Sequence, residues 1–184
     1  MSDLDFIKDK ELRKTLDDSI EYIYALFEQS KDGGQKKSYQ EETYRVIILY
    51  VVSAIEAVLL YFYKARGEKI EYPEYKFVCT LPPEYTHAAK PKSPMVIAVQ
   101  EQVEKREQQV GIHELVAFFK SKKLILDKTA KDILDMNDVR NTFHFNKQRA
   151  QACDLQRVEK ALQLLVHTLK NAPKALEKKL PQQH

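Results

Sequence analysis

The stretch VIILYVVSAIEAVLLYFY, Val46–Tyr63, decides how this chain folds, because eighteen residues in a row carry only Ser53 and Glu56 as clearly polar side chains. As a helix it is at the short limit for crossing a hydrocarbon core. A carboxylate near the centre of a bilayer costs about 2.5–3.5 kcal/mol. Basic residues flank the stretch on both sides, Arg45 before it and Lys64 and Arg66 after it, so no orientation in a membrane is favoured. Both facts point to a central helix covered on most sides by other helices, and no membrane association is expected.

The neighbours of this stretch carry the matching amphipathic patterns. Before it, Leu12, Leu16, Ile20, Ile23, Leu26 and Phe27 recur at three- and four-residue spacing and predict a helix over Leu4–Gln29, ended by Gly33-Gly34. The apolar helix itself spans Tyr39–Ala65, with Gly67 as its stop. From Glu68 the period changes. Ile70–Cys79 reads as extended chain, Pro82-Pro83 breaks it, and Met95–Val99 reads as a second strand. Gln100–Gln109 either extends that strand or begins a helix, and Ala88–Pro94 reads as an exposed loop. Helical spacing resumes from Gly111 to about Lys122. After the link Leu124–Asp127, with Asp127 as candidate N-cap, a fourth helix carries Ala130, Ile133, Leu134 and Met136 toward Arg140. A last helix, Asp154–Asn171, aligns Leu155, Val158, Leu162, Leu165 and Leu169, and Pro173 follows it. The expected fold is mainly α: an up-and-down helical bundle over 1–172 with a small β-hairpin or extended insertion, 68–110, between the second and third helices, and a frayed basic tail over 173–184.

Composition narrows the function classes. A hydrophobic fraction of 43%, no Trp and only four Gly describe a helical globular chain rather than a disordered or fibrous one. Cys79 and Cys153 lie far apart and form no C-x-x-C, so neither a disulfide framework nor a zinc site is signalled; read as reduced thiols, they fit the cytoplasm. The acidic start, Met1–Asp5, lacks the basic and apolar regions of a secretory signal. Gly33, Gly34, Gly67 and Gly111 form no phosphate-cradling loop. His87, His113, His167 and His184 have no second ligand at metal spacing and read as structural or solvent-facing, so no metal or cofactor is expected. Tyr39, Tyr44, Tyr50, Tyr61 and Tyr63 read as core or interface anchors. Charge is uneven: residues 139–184 carry nine basic and three acidic side chains, a net of +6, against −2 for 1–67 and −1 for 68–138. A polyanion would be drawn to that last segment, unless its lysines are simply a solvated face.

The same segment opens with the run Asn137–Phe145, which holds Arg140, Asn141 and His144 within five residues. On a continuous helix Arg140 and His144 are i and i+4 and share one face. A guanidinium holds phosphate through its forked donors, an amide orients phosphate or sugar, and an imidazole titrating near neutrality moves protons. That set suits attack of an RNA 2′-hydroxyl on its own phosphate. The alternative reading is an Arg paired with Asp138, an Asn closing a helix and a His between Phe143 and Phe145. Glu56, a carboxylate among Val51, Val52, Ile55, Val58 and Leu59, needs a partner if buried, and Arg140 is an attractive one.

Long helix, apolar acid-bearing helix, insertion, short helix, then an Arg-Asn…His run before a final amphipathic helix: this order resembles the HEPN superfamily. The residues that carry the likeness are Leu115–Phe119, the approach Ile133, Leu134 and Val139, the pair Arg140-Asn141, His144, and Glu56 within Ser53–Ala57. It covers roughly 120 residues as an order of elements, and only the Arg-Asn…His signature is specific. The resemblance implies a HEPN-like helical bundle, a homodimer and a metal-independent endoribonuclease of defence, toxin or RNA-processing type. Arg140, Asn141 and His144 would be catalytic, Glu56 supporting, RNA the substrate, and a cognate antitoxin or regulatory protein a partner. Three residues, Asn141, Thr142 and Phe143, separate Arg from His here where the family has four to six. On a regular helix one residue turns the imidazole by about 100°. The second implied reading is therefore a catalytically silent HEPN-like module that dimerises or binds RNA or protein. An unrelated helical bundle is the third.

Overall fold

Asp9 sets the start of the first helix. Its Oδ1 accepts hydrogen bonds from the Glu11 and Leu12 amides at 3.0 and 3.1 Å, so α1 spans Lys10–Ser30 and begins at Lys10 rather than at Leu4. Leu4 and Ile7 are still buried, held in a turn by the Ile7 N–H to Leu4 C=O bond of 2.9 Å. Apolar spacing there reflects a folded-back lead into the core, not helix. The computed structural model describes residues 4–31, 34, 36–87, 90–142 and 153–177. Lys31 caps α1 ahead of the turn at Gly34, and Gly33 lies outside the described residues.

The apolar stretch lies within α2, Lys37–Arg66, which Gly67 closes in the left-handed conformation at φ 64°, donating to Lys64 C=O at 3.0 Å. Ile47, Ile48, Val51, Val52, Ile55 and Val58 have no exposed surface. α2 is long and apolar enough by composition to cross a membrane, yet more than half of its most apolar window is buried inside the protein. That burial comes from α1, from α3 (Ile112–Ser121), from α4 (Asp127–Asn141) and from α5 (Leu155–Glu177), all of which touch it. A helix covered on this many sides has no polar face to keep, which accounts for its sequence. Tyr44 and Tyr63 are buried on it, whereas Tyr39 and Tyr50 are exposed, so only part of the tyrosine set anchors the core. Tyr61 Oη receives the Lys8 amide at 3.1 Å and ties the lead segment to α2.

Between α2 and α3 the chain forms strands β1 (Glu71–Thr80), β2 (Thr86–His87), β3 (Lys90–Pro94) and β4 (Val96–Glu104). β1 and β4 pair antiparallel, with Glu71 opposite Glu104, Tyr75 opposite Gln100 and a register shift between Phe77 and Cys79. Gln100–Glu104 therefore continues the strand, and only Glu107–Gln109 turns helical, as a single 3-10 turn. The segment expected as a loop is corrected in part. Lys90–Pro94 pairs with β2, its prolines tolerated because a two-stranded ribbon leaves half of its N–H groups unpaired; 88–89 lie outside the described residues.

Two helix ends differ from expectation. Leu126, not Asp127, is the N-cap of α4; Asp127 is the first helical residue, where a carboxylate favours the helix dipole and pairs with Lys120 at 3.2 Å. α5 begins after Asp154, whose Oδ1 accepts the Arg157 amide at 2.9 Å, and runs through Pro173 to Glu177 instead of stopping at Asn171. An interior proline removes one amide donor and crowds the carbonyl four residues before it, which weakens or kinks a helix without having to end it. Residues 178–184 of the expected tail lie outside the described residues. The chain divides into two compact units, 1–68 with 111–184 and 69–110; among the described residues the first holds α1–α5 and the second the strands.

Candidate functional site

The end of α4 carries three polar side chains close together. Asn137, Arg140 and Asn141 stand at i, i+3 and i+4, which confines them to an arc of roughly 100°. Arg140 Nη1 donates to Glu56 Oε2 at 2.8 Å across the α2–α4 contact, with the two side chains 30% and 26% exposed. This is a half-buried pair, sheltered enough to be more than a surface contact and open enough for the rest of the guanidinium fork to meet a ligand. Arg140 thus takes its partner from α2 rather than Asp138 of its own helix. Asn141 is exposed.

Thr142 ends the helix. Its hydroxyl donates to Val139 C=O at 2.7 Å and accepts from Arg45 Nη1 at 3.2 Å. Arg45 is buried, 4% exposed, so a second guanidinium lies beneath the same helix terminus, where cations favour the negative end of the dipole. Beside it the thiol of Cys153 is pushed up to about 11, chiefly by burial, against the opposing pull of Arg45 and Arg157. Cys79 and Cys153 are both free thiols, one exposed and one buried.

α4 ends at Asn141, with Thr142 as its cap. His144, with Phe143 and Phe145, lies outside the described residues. The structure brings together Arg140 and Glu56 and exposes Asn141 alongside them.

Sequence reasoning passed over two members of this neighbourhood. Asn137, 3% exposed, faces α3, and its Nδ2 lies 3.2 Å from His113 Nε2. His113 is exposed and so places an imidazole one helical turn from Arg140 along α4. The available signal was the spacing of Asn137 from Arg140, which repeats the helical period. Arg45 looked like a flank of the apolar stretch, and only the packing of α4 on α2 makes it part of the site. Among the described residues no group of three or more His, Cys, Asp or Glu side chains is close enough to hold a metal ion. Comparison with protein-family models, with curated proteins and with solved structures gives no significant match.

Proposed function

We propose that this protein is a HEPN-like, metal-independent endoribonuclease that works as a homodimer. The observation that carries the reading is the half-buried Arg140–Glu56 pair, 2.8 Å long, beside the exposed Asn141 at one helix end. One carboxylate on Nη1 fixes the direction of the guanidinium and leaves further N–H donors for a scissile phosphate and the charge that develops on it. Asn141 orients the phosphate or sugar, and His144 carries the proton. Two copies related by a two-fold axis provide the second proton carrier that 2′-hydroxyl attack requires. A cognate antitoxin or regulatory protein fits the same reading as a partner.

A catalytically silent RNA- or protein-binding module is the second reading. It is favoured by the three-residue spacing between Arg140 and His144 and by the moderate net charge of +3.

The purified protein is expected to cleave single-stranded RNA in excess chelator and to leave 2′,3′-cyclic phosphate ends. His144→Ala abolishes cleavage with the circular dichroism spectrum unchanged, since general acid–base catalysis contributes roughly 10² to 10⁴ in rate. Arg140→Ala lowers cleavage and RNA affinity together. A parent protein that is dimeric by light scattering but inactive on diverse RNAs sinks the enzyme reading and leaves the silent module.

A further inference from the structure

A second site lies on the helical unit, away from Arg140, where α2, α5 and the α3–α4 connection enclose a cavity of about 240 Å³. Its floor is apolar: Leu59 and Phe62 of α2, Phe119 of α3 and Ile133 of α4 are all at most 3% exposed. A cavity of about 150 Å³ lined by Leu, Ile and Phe already takes up benzene, so this one has space for a larger apolar group. The connection Leu124–Ile125–Leu126 covers one side, and Leu126 remains 70% exposed although three apolar residues in a row are unusual in a surface link.

The rim has one sign of charge. Arg66, Lys123 and His167 line the cavity, and none of its lining residues is acidic. Arg66 Nε is shared with Glu68 Oε1 at 3.0 Å, and Lys122 also holds that carboxylate. Burial by itself would raise the Glu68 carboxyl, but the bonds from Lys122 and Arg66 outweigh it and hold it below its ordinary value of 4.5. Glu68 therefore stays ionised and occupies Arg66, which leaves Lys123 and His167 to face an incoming anion. Asn171 Nδ2 lies 3.1 Å from His167 Nδ1 and donates to His167 C=O at 2.8 Å, which positions the imidazole at the rim.

Lys123 adds an independent argument. It is the sole non-glycine with positive φ among the described residues, at 56°. Its amide bonds Lys120 C=O and the Leu124 amide bonds Phe119 C=O, both at 2.9 Å, which together close α3 in a Schellman turn. Glycine fits this position best, and a lysine there carries backbone strain of about 1 kcal/mol or more. The strained position places a cation on the rim of an apolar cavity.

We propose that this cavity binds a small organic anion with an apolar body, of the class of a medium-chain carboxylate. The chain fills the space between Phe62, Phe119 and Ile133, and the carboxylate meets Lys123 and His167. The proposal is independent of the ribonuclease reading and involves none of its residues. Isothermal titration calorimetry of the full chain with octanoate, and with octanol as the neutral probe of equal chain length, tests it. Octanoate is expected to bind saturably at one per chain, and octanol roughly fivefold or more weakly. Lys123→Gly weakens octanoate roughly two- to fivefold, the size of an exposed ion pair. Ala172→Phe, which fills the cavity from α5, removes binding; should that variant fail to fold, Lys123→Gly still decides, because glycine suits its backbone. Absence of saturable octanoate binding by the parent, equal binding of octanol, or an unchanged affinity in Lys123→Gly overturns the proposal.

Discussion

At the scale of single residues, Glu56 and Arg140 show how one contact serves two ends. A carboxylate on a helix otherwise surrounded by Val51, Val52, Ile55, Val58 and Leu59 has to be paired, and α4 brings the guanidinium to 2.8 Å. Glu56→Gln keeps the shape and one hydrogen-bond acceptor but removes the charge. It is expected to cost about 1 kcal/mol of stability in urea denaturation, the usual scale for a charge-assisted bond that is only half sheltered. RNA cleavage should fall at the same time, because the fork is no longer held in one orientation. A variant with parental stability would show that the pair contributes nothing to the fold. Asn137 and His113 form a comparable contact one turn earlier, between α4 and α3.

At the scale of elements, the ends of the helices carry more information than their middles. Asp9, Gly67 and Gly111 start or stop helices by known cap chemistry, and Glu114 accepts the Gly111 amide at 2.7 Å in half of a capping box. Lys123 is the exception, since it occupies a left-handed position without being glycine. Lys123→Gly is expected to stabilise the helical unit by about 1 kcal/mol despite the greater freedom of glycine in the unfolded chain, raising the midpoint of thermal unfolding. A lowered midpoint would mean that the lysine side chain supplies more than its backbone costs. Opposite signs, higher stability with weaker octanoate binding, would separate the function of this residue from its contribution to the fold.

At the scale of the whole molecule, the strand unit is the part least able to hold itself together. Its two-stranded ribbon leaves Tyr75, Phe77, Val96 and Val99 more than half exposed, and an isolated hairpin is marginally stable. Its two ends meet: Glu71 lies opposite Glu104, and the Lys105 amide bonds Ile70 C=O at 2.8 Å. Replacing residues 71–104 by a short Gly-Ser linker is therefore expected to leave the helical circular dichroism signal and a cooperative unfolding transition. Loss of cooperativity would show that the helical unit depends on the hairpin. The amino-acid sequence by itself determined the order of the helices, the central place of Val46–Tyr63 and the extended chain of β1 and β4, because hydrophobic period and turn residues are local signals that tertiary contacts had no reason to override here. Arg140 as a partner for Glu56 was also legible, since a carboxylate among apolar neighbours needs one if buried. Only the tertiary structure decided that Arg45 reaches Thr142, that Asn137 meets His113, that α4 ends at Asn141 and that a cation-rimmed cavity opens beside Leu124–Leu126. Those features depend on side chains from distant segments arriving at one place and on where a helix end meets its neighbours, and no spacing along a single chain encodes them.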